Sequence, residues 1–165
     1  LYEDSDLKEW LNSDFYNTLS DSIKSLVVEN STWNIGSVSG NIKEVKTIKQ
    51  TEEKAETFHA NVGLLTVSDY ASATYNLSCR KDITQSVCAT TNYLVLDKEY
   101  FLLNPVSNAK MLWTISPTVE NAFNKVSATA QLNVIPVINL KAKSSINGGE
   151  GTADNPYILS LSSES

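Results

Sequence analysis

Residues 112–117 have the sequence LWTISP, and residues 134–140 have the sequence VIPVINL. Both are apolar runs of strand length, and a proline ends the first run and interrupts the second. The chain then passes through a glycine-dense turn and an Asn-Pro-Tyr exit in GGEGTADNPYIL, residues 148–159. This order is typical of a β-hairpin that closes a small domain.

The composition predicts a single globular domain over residues 1–165. Hydrophobic residues make up 41% of the chain and charged residues 19%, as in chains that fold around a core. The net charge of -6 argues against a nucleic-acid-binding protein and against a polybasic membrane-surface module. No apolar run approaches the roughly 18 residues that cross a bilayer.

The chain opens on Leu1-Tyr2-Glu3, without an initiator Met or a signal peptide. We therefore expect a piece of a longer protein whose export signal or anchor lies upstream. On this interpretation, any membrane attachment is made through that missing N-terminal segment.

The first quarter of the chain is predicted to be helical. Ser5 is placed to cap a helix over residues 6–12, and Ser20 is placed to cap a second helix over residues 21–28. Both segments carry apolar residues at spacings of three and four, which indicates one buried face on each helix. Residues 14–17 are expected to bridge the two helices.

The highly charged segment 41–57 is predicted to be a solvated loop with a short exposed helix; the alternative is a charged interaction surface. Residues 63–65 are expected to form a buried strand that runs directly into a helix over residues 67–73. Thr66 and Asp69 have the spacing of a capping box at the start of that helix.

The remainder of the chain is predicted to be rich in strands. The runs at 92–96 and 100–103 are separated by a short polar segment, which favours a hairpin between them. Because helices come first and strands follow, we predict an α+β fold with N-terminal helices packed on a mainly antiparallel sheet. Further strands are predicted at 33–36, 113–116, 126–132 and 134–140.

Cys79 and Cys88 lie nine positions apart in a polar stretch, and His59 is the single histidine of the chain. A zinc site needs three or four ligands, so we predict a Cys79–Cys88 disulfide instead. Closing a loop of about ten residues stabilises a fold by roughly 2–3 kcal/mol. Such a bond persists outside a reducing cytosol, whereas the alternative is a pair of free, oxidation-prone thiols in an intracellular protein.

Ser68, His59 and Asp69 are the residue types of a catalytic triad. The sequence around Ser68 lacks the Gly-x-Ser-x-Gly pattern of a nucleophile elbow, and His59 lies in a context typical of a strand edge. We predict no catalytic residue and no cofactor.

Glu150, Asp154 and Asn155 offer side-chain oxygens within one tight turn, and calcium takes oxygen ligands from such turns. The alternative is ordinary turn chemistry, in which glycines adopt positive φ and Asp or Asn side chains bond nearby amides. We favour the structural alternative and predict no metal requirement.

Several aromatic residues are candidates for a sugar-binding face: Trp33, Tyr93, Tyr100 and Trp113, with Tyr157 near the C-terminus. Aromatic residues at strand positions are more often part of the core. The sequence leaves both interpretations open.

Several short segments occur in a recognisable order: LKEWLN at 7–12, FYNTL at 15–19, WNIG at 33–36, GLLTVSDY at 63–70, WTISP at 113–117, PVINL at 136–140 and the turn at 148–157. In these segments and their order, the chain resembles a widespread uncharacterised domain of Gram-positive bacteria and their relatives. That domain is distantly similar to the C-type-lectin-like fold of formylglycine-generating and sulfatase-modifying proteins.

The resemblance implies a C-type-lectin-like fold and an extracellular location at the cell surface. Members of the family often belong to surface proteins, including proteins with a prepilin leader. We therefore predict a non-catalytic head domain of a type IV pilin or pilin-like protein, acting in filament assembly or adhesion. The implied partners are other pilin or surface-protein subunits and a host or cell-wall glycan. Because Ile135 stands where the family has Arg and segment 118–133 is short, we transfer no catalytic residue.

Two functions of other classes remain as alternatives. One is a carbohydrate- or receptor-binding module of a surface or phage protein. The other is an enzyme of the sulfatase-modifying type, which the resemblance implies would use a reactive cysteine pair that binds a metal. The cysteine pair of this chain lies beside Arg80 and Lys81 without a further ligand, which argues against the enzyme.

Overall fold

The computed structural model describes residues 2, 5–41, 43–152 and 154–161. Positions 42 and 153, which belong to the predicted loop 41–57 and the predicted turn 148–157, lie outside the described residues. Helices are concentrated before residue 91, and all pairings between named strands are antiparallel. The α+β prediction is confirmed.

The central sheet has three strands, β4 (Tyr100–Pro105), β5 (Met111–Ile115) and β6 (Phe123–Ser127), which pair in this order. Trp113 on β5 lies opposite Lys125 on β6, and Tyr100 on β4 lies opposite Ile115 on β5. The predicted strands at 100–103 and 113–116 are thus neighbours in one sheet.

Strand β4 is buried on both faces. Tyr100 and Leu102 belong to one core, whereas Phe101 and Leu103 belong to another. Successive side chains of a strand point to opposite faces, so this continuous apolar run supplies both cores. The central sheet therefore lies between two apolar layers.

The first core covers one face of the sheet. Trp113, Ile115 and Phe123 pack there against α5 (Val67–Ser72) and α4 (Val45–Thr47). Phe123 meets the ring edges of Trp113 and Tyr70, with centroid distances of 6.1 and 5.1 Å respectively.

The second core covers the opposite face of the sheet. It contains Leu11 from the N-terminal helical segment together with Trp33 and Phe58. Trp33 and Phe58 are paired across an antiparallel two-stranded ribbon that consists of β1 (Ser31–Asn34) and β2 (Thr57–Ala60).

The N-terminal helix is longer than predicted. Ser5 caps it as expected, and the Ser20 side chain caps the next helix, α3 (Asp21–Leu26). Residues 14–17 do not bridge two helices but continue the first one, because its backbone bonds extend through a π-helical turn. The full segment is α1 (Asp6–Trp10), the π-helical turn (Leu11–Phe15) and α2 (Tyr16–Thr18).

The prediction for 41–57 was a solvated loop with a short exposed helix. Most of its described residues are exposed, but the loop is wrong for most of the length, because a helical segment continues from α4 to Ala55. Val45 and Ile48 are buried in the first core. These apolar residues are few but are buried, and the charged residues are exposed except for Glu53, which is described below, and the preceding glutamate, which is half-buried. The additional turns are a π-helical turn (Ile48–Glu52) and a 3₁₀ turn (Glu53–Ala55).

The predicted strand 92–96 does not form. The side-chain oxygen of Asn92 accepts a hydrogen bond from the amide of Leu94, which turns the backbone immediately after Asn92. The predicted hairpin between 92–96 and 100–103 is therefore also wrong. β4 pairs with β5 instead.

Two other predicted strands are shorter than expected. The predicted strand 126–132 ends at Ser127, whose carbonyl accepts a hydrogen bond from Ala130 and whose hydroxyl accepts one from Thr129. In the run 134–140, two residues form β7 (Val137–Ile138), which pairs with β3 (Val62–Gly63).

The C-terminal segment forms an antiparallel hairpin around the predicted glycine turn, from β8 (Ser144–Gly148) and β9 (Ile158–Leu161). Its first strand is not the predicted run 134–140, whose strand residues pair with β3 instead. Gly149 and Gly151 in its connecting turn have φ of +81° and +76°, as the turn chemistry predicts. Three large apolar residues of the hairpin reach solvent: Ile146, Ile158 and Leu161. None of the helices in the described ranges has the length and apolar character needed to cross a membrane.

Trp113 and Leu140 both lie in predicted apolar strand runs, but the structure places them differently. Trp113 is 2% exposed, whereas Leu140 is 39% exposed and lies at an isolated bridge to Val27, outside both cores. Trp113→Ala should therefore cost about 3–5 kcal/mol of unfolding free energy, and Leu140→Ala about 1 kcal/mol. Urea denaturation of both variants checks this; equal losses would contradict it.

Gly149 is required by the hairpin turn. A Cβ atom at this position would lie 2.0 Å from the Pro156 carbonyl oxygen, and the positive φ adds backbone strain. Gly149→Val should increase amide hydrogen exchange in β8 and β9, measured by NMR. Glu150→Ala, an exposed change in the same turn, should leave exchange unaltered; loss of protection in both variants would refute a specific role for Gly149.

Candidate functional site

The start of α5 is enclosed by side chains that accept its free amide groups. The predicted capping box is present: the Asp69 amide donates to the Thr66 hydroxyl, and the Thr66 amide donates to the Asp69 carboxylate. The Val67 amide donates to Asn104 Oδ1 at 2.9 Å. The first turn of this helix is thus held by residues from different parts of the chain.

Glu53 completes this arrangement from the segment that was predicted to be a loop. Its carboxylate accepts hydrogen bonds from the Ser68 amide at 2.7 Å and from the Ser68 hydroxyl at 2.6 Å. Glu53 is 1% exposed. Desolvation raises the pKa of its carboxyl group, while the hydrogen bonds from Ser68 lower it and the charge of Asp69 raises it further.

The residues of the hypothetical triad have other partners. The Ser68 hydroxyl donates to Glu53 inside the core, and Asp69 belongs to the capping box. His59 is exposed on β2, where its Nδ1 lies 3.4 Å from the Thr32 hydroxyl oxygen. Ser68 and Asp69 thus belong to the first turn of α5, whereas His59 lies on β2.

Three of the five aromatic binding candidates are core residues. Trp33, Tyr100 and Trp113 are 5%, 1% and 2% exposed, so they offer no stacking face to a sugar. Their polar atoms bond inside the protein: the Trp33 indole donates to the Ala60 carbonyl, and the Tyr100 hydroxyl donates to the Leu94 carbonyl. This placement agrees with the core alternative.

Tyr93 and Tyr157 are the exceptions, at 70% and 55% exposed. The ring of Tyr93 lies 5.8 Å, centroid to centroid, from that of Tyr75, which is 63% exposed. We call Tyr75 and Tyr93 the tyrosine pair. Adjacent exposed aromatic rings on a fixed backbone are a common recognition surface.

Cys79 and Cys88 are joined in a disulfide, as predicted, and both are buried. We call residues 79–88 the disulfide loop. Within this loop, the Ile83 amide donates to the Lys43 carbonyl at 2.9 Å. The disulfide loop is therefore fixed to the segment before α4.

A cavity of about 450 Å³ lies where the first core opens to solvent. We call it the lysine pocket. Its floor is Trp113 and Phe123 from the central sheet, and Ile83 and Thr84 from the disulfide loop form one wall. The other residues that line it are Gly40, Asn41, Lys43, Asn121 and Lys125.

The ammonium group of Lys125 lies at the centre of this arrangement. Its Nζ is 4.8 Å from the centroid of the Trp113 ring and donates to the Gly40 carbonyl at 2.9 Å. The contact with the ring follows from the register, because Lys125 lies directly opposite Trp113 in the sheet. The ring and the carbonyl contact the ammonium group without neutralising its charge.

Lys43 is accompanied by a carboxylate. Hydrogen bonds from the Thr84 amide and hydroxyl lower the pKa of Asp82, and the positive charge of Lys43 lowers it further. Asp82 therefore offsets part of the Lys43 charge. Lys125 differs from Lys43, because its contacts within the described part of the chain are a neutral carbonyl and an aromatic ring.

The turn that carries the calcium candidates is held by its own backbone. The amides of Glu150, Gly151 and Thr152 all donate to the Asn155 carbonyl, at 2.9, 3.1 and 3.3 Å. The side chains of Glu150, Asp154 and Asn155 are exposed. Within the described ranges, no group of three or more His, Cys, Asp or Glu side chains is placed to hold a metal ion.

A larger groove of about 580 Å³ lies between α1 and the central sheet. Its floor is apolar and includes Phe101 and Leu103. Tyr2 and Ser5 also line it, and the residues between them lie outside the described part of the chain. We assign no ligand to this groove.

Sequence reasoning missed Glu53, Tyr75 and the two pocket lysines. The signal for Glu53 was weak, because a single acidic residue in a charged segment does not differ from its neighbours. Lys125 lies two positions after Phe123 on β6, so it shares the face of a buried aromatic residue. This two-residue spacing was the available clue to the lysine pocket.

A family model described as a domain of unknown function (DUF6273) matches residues 1–57. The match covers 57 of the 165 residues and extends to the first residue of β2. It includes Glu53 and excludes both the disulfide loop and Lys125. No curated protein and no solved structure matches the chain.

The burial of Glu53 makes a pH-dependent contribution to stability. Burial raises the pKa of the Glu53 carboxyl group in the folded state, so folding favours its protonated form. Its contribution to the free energy of unfolding is therefore fully present below the ordinary pKa of 4.5 and is lost as pH rises through the raised pKa. Relative to Glu53→Gln, which does not titrate, the wild type should gain melting temperature as pH falls from neutral toward 4.5.

Calorimetry at a series of pH values measures this difference. Glu56→Gln, an exposed substitution in the same segment, corrects for the general effect of removing one carboxyl group. A wild-type-to-variant difference that stays constant across the series would show that Glu53 does not titrate in this window.

Proposed function

We propose that this domain is a non-catalytic, extracellular recognition domain that acts in adhesion as the exposed head of a pilin-like surface protein. The observation that carries the proposal is the disulfide loop. The Cys79–Cys88 bond closes a segment whose Ile83 and Thr84 form one wall of the lysine pocket. Because disulfides persist in oxidising compartments, one element supports both an extracellular location and a fixed binding surface.

The non-catalytic part of the proposal is supported by where the reactive residue types lie. Ser68 and Glu53 bond to each other in the core, where a substrate does not reach them. The cysteines are consumed in the disulfide, which disfavours the sulfatase-modifying alternative with its reactive metal-binding pair. The concave site offers lysines, amides and a hydroxyl, which suit binding.

The pilin-like setting and the C-type-lectin-like fold rest on the sequence resemblance. N-terminal helices packed on an antiparallel sheet, with a closing hairpin, support that fold assignment. The C-terminal hairpin favours filament assembly as a second candidate function. Ile146 and Ile158 are 59% and 61% exposed on a two-stranded sheet with unpaired outer edges, which suits contact with another subunit.

The disulfide loop provides the test of the adhesion proposal. Intact mass before and after reduction should differ by two hydrogen atoms, as one disulfide requires. Beads coated with wild-type domain should adhere to cell-wall fragments or host-cell surfaces, and beads coated with a Cys79→Ala/Cys88→Ala variant should adhere more weakly. Opening the loop frees one wall of the pocket and costs roughly 2–3 kcal/mol of stability.

Circular dichroism must show that the double variant remains folded at the assay temperature. Gln85→Ala, an exposed change in the same loop, should adhere like the wild type. Equal adhesion of wild-type and double-variant beads would overturn the role of the loop. Absence of antibody labelling on intact producing cells would overturn the extracellular location.

The N-terminus of the full-length protein separates the two settings. A prepilin leader with a hydrophobic helix would favour a pilus head. A plain signal peptide together with a wall-anchor motif would favour an adhesin that does not form filaments.

A further inference from the structure

We propose that the lysine pocket binds an acidic saccharide and that Lys125 binds its anionic group. This inference rests on the proposed recognition function and names the ligand class of the same site. The shared chemistry is a sugar ring that carries a carboxylate or a phosphate. Both groups accept charge-assisted hydrogen bonds from an ammonium group.

The charge distribution of the pocket favours an anionic ligand. An ammonium group has several N–H donors, and the Gly40 carbonyl takes one of those of Lys125. Within the described residues, no carboxylate contacts this ammonium, so its charge is available to a ligand. Lys43 contributes less, because Asp82 lies close enough for the two charges to interact.

The contact with Trp113 holds the ammonium in position. A flexible lysine side chain loses conformational entropy when it binds an anion. Here the indole ring at 4.8 Å and the Gly40 carbonyl at 2.9 Å already restrict the side chain. Less entropy is therefore lost on binding than at a solvated lysine.

The neutral groups of the pocket suit the sugar ring. Thr84 and the amides of Asn41 and Asn121 surround the opening, and the side-chain oxygen of Asn121 accepts from the Phe123 amide. This bond fixes the amide orientation and leaves its N–H₂ group to donate to a hydroxyl. The volume of about 450 Å³ is within the usual range for small-molecule sites.

The pocket is positive in a chain of net charge -6. A local positive site in an acidic protein is not a consequence of overall composition. The remaining negative charge repels anions in general, so an anion binds well only if it also uses the neutral groups of the pocket. We therefore expect selectivity for acidic sugars over simple anions.

The test titrates ¹⁵N-labelled wild-type domain with glucuronate, glucose 6-phosphate, glucose and sodium acetate, followed by NMR. Amide shifts at Gly40, Thr84 and Asn121 report the lysine pocket, and those at Tyr75 and Tyr93 report the tyrosine pair. At least one acidic sugar should bind about tenfold more tightly than glucose and acetate. The carboxylate and phosphate arms identify which anionic group is preferred.

Three variants assign the effect. Lys125→Met keeps the aliphatic contact with Trp113 and removes the charge, so it should weaken acidic-sugar binding about tenfold and leave glucose binding unchanged. Lys43→Met should weaken it less. Lys46→Met, an exposed lysine on α4, is the matched control and should have no effect. Circular dichroism verifies that each variant is folded.

Each contrary result has a definite meaning. If glucose binds the pocket as tightly as the acidic sugars, or if Lys125→Met binds like the wild type, the acidic-saccharide proposal is wrong and the recognition function stands. Shifts confined to the tyrosine pair also overturn the proposal and move recognition to that surface. If no probe shifts the pocket amides, the proposal fails, and the bead assay then decides the adhesion function separately.

Discussion

Neighbouring side chains of β4 pack into opposite cores, and this two-sided burial determines where the other elements lie. Tyr100 and Leu102 face the helices of the first core, while Phe101 and Leu103 face the ribbon and N-terminal helix of the second. A one-residue slip in the pairing of β4 would exchange the two sets of side chains. The bonds along its length prevent this, including the one from the Leu103 amide to the Leu65 carbonyl.

The buried carboxylate of Glu53 joins the charged segment to this framework. Removing a carboxylate from water is unfavourable, and the raised pKa of Glu53 reflects that cost. The amide and hydroxyl of Ser68 offset it by donating to both carboxylate oxygens at the positive end of α5. Because Gly36 also donates its amide to the Glu53 carbonyl, this residue links the charged segment to the region after β1.

The lysine pocket forms where the first core meets solvent, and its parts come from distant regions. The sequence allowed the Cys79–Cys88 disulfide to be predicted, because two cysteines at close spacing have few alternatives. It did not allow the pocket to be predicted, because Lys125 acquires its position only when β6 pairs with β5 opposite Trp113. The same pairing buries Trp113, which the sequence had offered as a binding residue as well as a core residue.

Features governed by neighbouring residues were determined by the sequence itself: the caps at Ser5 and Ser20, the capping box before α5 and the glycine turn of the closing hairpin. Their hydrogen bonds and backbone angles involve residues a few positions apart. The outcome at 41–57 and at Leu140 was decided only by the tertiary structure. A residue becomes buried only when residues from another part of the chain pack over it. Such packing buries Glu53, whereas Leu140 lies outside both cores and stays partly exposed.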